Sequence, residues 1–249
     1  DYYASIEDYY ASKQKIYANQ TGDDYLFVNV DDPLVLKHLN HPQAKLIKYG
    51  LDQDSDVKIV GDNVIYDEQV LFNIKAMNLV GKHNVYNALV SALMAYMNNV
   101  SVKNINAVLT SFRGVEHRIE YVRELKHVRY YNDSKATNVE SVIVALEAFD
   151  QDLILLAGGY DKKISFEQLR AYNSKVKHAI LFGETKEQLQ NIFDNSILVD
   201  TLEEAVSKAY DLAKPNDLVL FSPACASFDQ FVDYEDRGRK FKQYVNKLS

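Results

Sequence analysis

Val128-Arg129-Tyr130-Tyr131-Asn132-Asp133-Ser134-Lys135-Ala136-Thr137-Asn138 is the stretch on which the fold turns. A short apolar run of strand composition gives way at once to a polar loop that leads into a helical pattern. The same change recurs downstream, where apolar runs at 153–157, 179–182, 197–199 and 218–221 alternate with helical stretches. That alternation predicts a parallel sheet covered on both faces, a doubly wound α/β unit. In such sheets a ligand sits beyond the carboxyl ends of the strands. The strand-end segments are therefore where chemistry is expected, and they are rich: 132–138, Gly158-Gly159-Tyr160-Asp161-Lys162, Gly183-Glu184-Thr185-Lys186 and Ser222-Pro223-Ala224-Cys225-Ala226-Ser227.

Upstream of about residue 115 the rhythm differs. Ser5 followed three residues later by Asp8 reads as a helix start, with apolar recurrence predicting a helix over 6–19. Residues 25–30 form a short apolar run stopped by Asp31-Asp32-Pro33, and a second strand is expected over 45–49. Runs at 57–60 and 63–66 flank Gly61-Asp62, a Gly-first pair suited to a type II′ hairpin. Helices fit 83–97 and, after a Ser101 cap, 102–112.

Composition narrows the function. The 249 residues carry 28 Lys+Arg against 35 Asp+Glu, a formal charge of −7, which argues against a nucleic-acid partner. Hydrophobic residues make up 47% and charged residues 25%, enough to build a core. No apolar run approaches the ~18 residues of a membrane span, so no membrane partner is expected. The single cysteine, Cys225, excludes an intrachain disulfide and a CxxC metal knuckle and makes the cytoplasm the natural compartment.

Asp133, Lys135 and Thr137 offer a carboxylate, an ammonium and a hydroxyl within five residues, able to hold an anion or a metal-bound oxygen. The competing reading is an N-cap beside a solvated lysine. Gly158-Gly159 with Lys162 allows close backbone approach to a ligand and a cation to pair with it, or is a plain glycine turn. Ser227 is either a donor to a carboxylate or a helix cap. Cys225 reads as an inert small hydrophobe. Asn84 and Asn87 are i, i+3 neighbours with amides suited to an adenine edge, although polar residues are common in any first helical turn. Lys13 reads by default as a snorkelling lysine, and Arg118 as a linker ion pair or an arm onto a phosphate.

Taken together these motifs resemble the Mur ligase family. Asp133-Ser134-Lys135-Ala136-Thr137-Asn138, Gly158-Gly159 with Asp161-Lys162, and Ser222-Pro223-Ala224-Cys225-Ala226-Ser227-Phe228-Asp229-Gln230-Phe231 are similar to the C-terminal domain of the D-glutamate-adding branch. Gly81-Lys82-His83-Asn84-Val85-Tyr86-Asn87-Ala88, Glu116-His117-Arg118 and Ala11-Ser12-Lys13 resemble the family's adenine-side motif, interdomain arginine and modified lysine. The likeness runs the whole chain in the family's order.

The resemblance implies a partial central ATP-binding domain over 1–114, followed by a Rossmann-like C-terminal domain over 115–249. It implies an ATP-dependent amide ligase of peptidoglycan synthesis that joins D-glutamate to UDP-N-acetylmuramoyl-L-alanine through an acyl phosphate, acting as a monomer. Lys13 would be carbamylated and ligate Mg²⁺, with Lys135 and Asp133 beside it in the catalytic set. Asn87, Arg118 and Asp133 would bind the nucleotide, and Thr137, Lys162, Ser227 and Tyr234 would hold D-glutamate. Tyr234 departs from the phenylalanine of other members. No GxxxxGK[ST] loop occurs in the sequence, so the chain is expected to be the carboxyl-terminal part of such an enzyme, inactive by itself. Another ligase of the superfamily, or a non-catalytic α/β module that binds an anion, are the alternatives.

Overall fold

The computed structural model describes residues 3–52 and 54–249. The chain divides into two compact units, one holding the residues up to Asn78 together with Lys82–Phe112, the other Leu79–Gly81 with Arg113–Ser249.

In the first unit α1 (Ile6–Gln14) starts at Ser5, whose Oγ accepts the Asp8 N–H at 3.1 Å. The helix is shorter than the 6–19 expected, because its end tightens into a 3₁₀ turn at Lys15–Tyr17. Strand β1 (Tyr25–Asn29) pairs in parallel with β2 (Lys45–Tyr49), and between them the short α2 (Pro33–Lys37) is capped by Asp32. Strands β3 (Val57–Val60), β4 (Asn63–Tyr66) and β5 (Gln69–Asn73) form an antiparallel meander. Gly61 takes φ 62 in the first turn, as a Gly-first hairpin requires. Strand β5 was not foreseen; its turn is Asp67-Glu68, both at positive φ (48 and 60) without a glycine to announce it. Then come α3 (Lys82–Met97) and α4 (Val102–Ser111), the latter capped by Ser101. Val64, Leu71, Phe72, Leu89 and Leu93 make the core of this unit. The Tyr86 hydroxyl donates to Asp31 Oδ2 at 2.6 Å and ties α3 to the end of β1.

The second unit holds β6 (Glu120–Leu125), β7 (Val128–Asn132), α5 (Val139–Glu147), β8 (Leu153–Gly158), a 3₁₀ stretch (Glu167–Lys175), β9 (Val176–Phe182), α6 (Lys186–Gln190), β10 (Ser196–Leu198), α7 (Leu202–Leu212), β11 (Leu218–Phe221) and α8 (Tyr234–Lys247). They build one six-stranded sheet in the order β10-β9-β8-β11-β7-β6. All neighbours run parallel except β6, an antiparallel edge strand that the parallel reading did not include. Its hairpin turns on Lys126 and His127 at φ 52 and 62, again without the usual turn residues.

The two faces follow from the two-residue period of each strand. Leu153, Leu155 and Ala157 of β8 pack with Val142 and Leu146 of α5, while Ile154 and Leu156 pack with Val206 of α7 and Phe241 of α8. Every residue of β8 and β11 is buried, which is why both read as unbroken apolar runs. Each enclosed Leu or Ile contributes about 1.5–3 kcal/mol. Strand β11 returns between β7 and β8, so the chain changes direction across the sheet there, and the loops after these three strands meet at one crevice.

Candidate active site

Three loops and one helix start converge at the carboxyl end of the second unit's sheet. The loop after β7 begins with Asp133, which is 4% exposed. Its Oδ1 accepts the Ile119 N–H at 3.1 Å and its Oδ2 the Ser222 hydroxyl at 2.7 Å. Burial pushes this carboxyl up to about 7, against the opposing pull of those two hydrogen bonds and of Arg118. Asp133 is therefore no helix cap; Asn138 caps α5 by accepting the Ser141 N–H at 2.8 Å.

Lys162, from the loop after β8, donates to the Thr137 carbonyl at 2.6 Å and so brings two of the candidate residues together. The Lys135 ammonium stands 5.8 Å from the centre of the Tyr234 ring, a cation–π approach. The Ser134 hydroxyl donates to the Tyr234 carbonyl at 2.8 Å, which seats the start of α8 against the loop after β7. Ser227, 1% exposed, follows Ala226, whose carbonyl accepts the Tyr160 N–H at 3.0 Å. The cap of α8 is Asp233 and not Ser227.

Gly158 and Gly159 require their residue type. They sit at φ 123 and 145, and a Cβ on Gly158 would stand 1.9 Å from the Phe182 carbonyl oxygen. Beyond them Asp161 accepts from the Lys163 ammonium at 2.7 Å and from Gln188 at 2.9 Å; these bonds hold its carboxyl down to about 2. The Cys225 thiol is buried against Thr185 Oγ1 at 3.2 Å, and burial raises it to about 11, consistent with an inert residue.

Arg118 is exposed, and behind it lies a buried network that the sequence did not reveal. Asn132 Oδ1 accepts the Ser134 N–H at 3.2 Å, so its amide nitrogen faces His117 Nδ1 at 2.9 Å. That ring nitrogen is then the acceptor, and burial lowers the His117 pKa and keeps the ring neutral. Glu116, His117 and Glu120 are the one group among the described residues with three potential metal-ligand atoms close together, all within 4.8 Å. Lys242 already supplies a cation there, at 2.6 Å from Glu116 and 2.9 Å from Glu120.

Arg237 also escaped sequence reasoning, and Ser222, which opens the polar segment after β11, was given no role of its own there. Arg237 occupies the buried face of α8 with Phe241 and Val245 at four-residue spacing, and a charged residue in an apolar stripe was the available signal.

The other two candidates belong to the first unit. Lys13 projects from α1 with its ammonium 5.1 Å from the centre of the Tyr9 ring, lining a cavity of about 300 Å³ with Tyr10, Asp32 and His38. Asp32, the carboxylate of that lining, accepts the Leu34 and Val35 N–H groups. The described residues around Lys13 thus do not assemble a shell for Mg²⁺, which asks for near-octahedral oxygen ligation. Asn87 lies on the exposed side of α3, where Ala88 and Leu89 are buried.

Residues 1–95 match the Mur ligase middle domain and residues 117–225 the Mur ligase glutamate ligase domain. The UDP-N-acetylmuramoylalanine–D-glutamate ligase of Thermoanaerobacter sp. (strain X514) is 38% identical across all of this chain, and that of Staphylococcus aureus (strain MSSA476) is 37% identical across 97% of it. The chain spans 58% and 55% of the length of these two relatives. Among solved structures, MurF ligase from Thermotoga maritima in complex with ADP superposes with a TM-score of 0.70 at 17% identity, covering all of this chain and 60% of that one. A pseudomurein peptide ligase type C from Methanothermus fervidus gives 0.71 at 18% identity, covering 98% and 60%. With both domain types matched in sequence order and the same architecture recurring in these structures, the chain belongs to the Mur ligase family.

Proposed function

We propose that this chain is part of an ATP-dependent ligase that joins D-glutamate to UDP-N-acetylmuramoyl-L-alanine in peptidoglycan synthesis. The observation that carries the proposal is the crevice of the second unit, where Lys162 bonds Thr137 and Lys135 stands over Tyr234. Cations and hydroxyls from three strand-end loops suit a small dicarboxylate acceptor. The named relatives, similar over the whole chain, supply the same acceptor.

In the proposed reaction an oxygen of the alanyl carboxylate attacks the γ-phosphorus of ATP and ADP departs. The amine of D-glutamate then attacks the acyl carbon, phosphate leaves, and one amine proton is lost. Fixed cations matter in both steps because negative charge gathers on the transferring groups. Lys135 faces that charge. Thr137, Lys162, Ser227 and Tyr234 hold and orient the acceptor, which removes much of the entropic cost of the attack. Asn87 contacts the adenine, and Arg118, exposed, contacts the rest of the nucleotide together with the buried Asp133. Carbamylation of Lys13 would convert its ammonium into a carboxylate-like group.

The test uses the enzyme at the relatives' full length. Phosphate release is measured with ATP, the nucleotide-sugar substrate and, in turn, D-glutamate, L-glutamate, L-lysine and L-alanine. Turnover with D-glutamate alone is expected. Equal or better use of another amino acid moves the chain to a different branch of the family, and no turnover with any acceptor favours a binding module.

A further inference from the structure

Arg237 is the largest wholly enclosed side chain of the described residues, at 0% exposure. Its guanidinium spends its hydrogen bonds on neutral oxygens. Nε donates to Ser134 Oγ at 3.0 Å, Nη2 to the Ser134 carbonyl at 2.8 Å and Nη1 to the Ala226 carbonyl at 3.0 Å. None of these bonds goes to a carboxylate. The Phe221 ring lies beneath, 5.8 Å from the guanidinium carbon. Gly159 closes the remaining side, where a Cβ would come within 3.1 Å of Nη1.

Enclosing a cation without a bonded counter-ion is expensive, and an apolar side chain of similar volume would fill the same space without that cost. The burial lowers the Arg237 pKa to about 10, which still leaves it charged at neutral pH. What the charge achieves is legible in its partners. Ser134 lies between Asp133 and Lys135, and Ala226 directly precedes Ser227. Tyr234 is one helical turn before Arg237, and Ser134 bonds its carbonyl. One planar fork thus fixes the loop after β7 to the loop after β11 and to the start of α8. The half-buried Asp229 carboxylate acts on the guanidinium through space, without a hydrogen bond to it.

We infer that Arg237 is a positioning residue for the acceptor amino acid: it sets the spacing of the loops that carry Thr137 and Ser227. The inference rests on the ligase reading above. It goes beyond that reading by assigning acceptor recognition to a side chain that solvent does not reach.

The test is steady-state kinetics of the full-length enzyme as Arg237→Lys, Arg237→Met and Ser134→Ala, with thermal unfolding run in parallel. For Arg237→Lys the KM for D-glutamate should rise about tenfold while that for ATP stays within about twofold. Arg237→Met, which keeps bulk and loses charge, should lose roughly a further tenfold in kcat/KM for D-glutamate. Ser134→Ala removes one partner and leaves the charge; a selective rise of about threefold is expected. Equal rises in both KM values, or a D-glutamate KM unchanged in Ser134→Ala and in any Arg237 variant that folds, would overturn the inference. If wild type ligates D-glutamate and the variants do so normally, only the role of Arg237 falls. If wild type does not use D-glutamate, the ligase reading falls first and takes this inference with it.

Discussion

The Ser222 hydroxyl donates to Asp133 Oδ2 at 2.7 Å, joining residues 89 positions apart at the carboxyl ends of β11 and β7. The bond spans neighbouring parallel strands at the place where the sheet changes winding direction. It also leaves Asp133 with little contact with water, and the first prediction follows from that.

Burial raises the Asp133 pKa from its ordinary value to about 7, so the folded state prefers the protonated acid. The stability held by the protonated form is complete below pH ~4 and is lost as pH rises through about 7. Asp133→Asn keeps an acceptor for Ile119 and removes the titration. Relative to wild type the variant should gain with pH, reaching roughly 1–3 kcal/mol at pH 8, while nucleotide use falls. Thermal unfolding at pH 5 and pH 8 checks this; a difference independent of pH contradicts the burial argument.

Lys162→Ala in the full-length enzyme should chiefly impair D-glutamate use, by about 1.5–3 kcal/mol in kcat/KM. Asn87→Ala should instead raise the KM for ATP. Separate KM measurements distinguish the two, and the reverse pattern would mean that the ends of the site have been exchanged.

Gly158→Ala should be far more damaging than Gly61→Ala. The first places a Cβ 1.9 Å from the Phe182 carbonyl oxygen at φ 123, whereas Gly61 has nothing within 4 Å and only an unfavourable φ of 62. Expected losses are about 3 kcal/mol or more against about 1 kcal/mol. Urea unfolding of the two variants measures both.

Cys225 should resist thiol reagents at pH 8 in the native protein, because the thiol is buried and raised to about 11. Ellman's reagent should count one thiol only after unfolding. Rapid modification of the native protein would show that the loop after β11 opens.

The second unit was legible because its strands are buried on both faces. Runs such as Leu153-Ile154-Leu155-Leu156-Ala157 cannot be mistaken for solvent-facing segments, and the polar loops that end them stand out. The edge elements were less visible. Strand β6 interleaves Glu120, Arg123 and Glu124 with its apolar residues, and the turns at Asp67-Glu68 and Lys126-His127 lack glycine. The candidate site residues stood out in sequence as polar clusters next to strands. Arg237 was not, since a charged residue on a polar helix such as Tyr234–Lys247 looks solvated until the packing of Phe241 and Val245 shows which side faces inward. The Asn132–His117 pair was hidden for a different reason: it depends on a contact between residues 15 positions apart that no spacing rule marks.

The position of α8 in the chain sets an order of events during synthesis. Strands β7, β8 and β11 all leave the ribosome before Tyr234 and Arg237 do, so the sheet can pair while the crevice still lacks its clamp. Until α8 docks, the Ser134 and Ala226 carbonyls have no guanidinium to bind, and Gly159 lacks its Arg237 neighbour. A nascent chain at that point would have its strands in place and its loops untied, which makes the docking of a single helix the step that fixes the loop after β7 to the loop after β11.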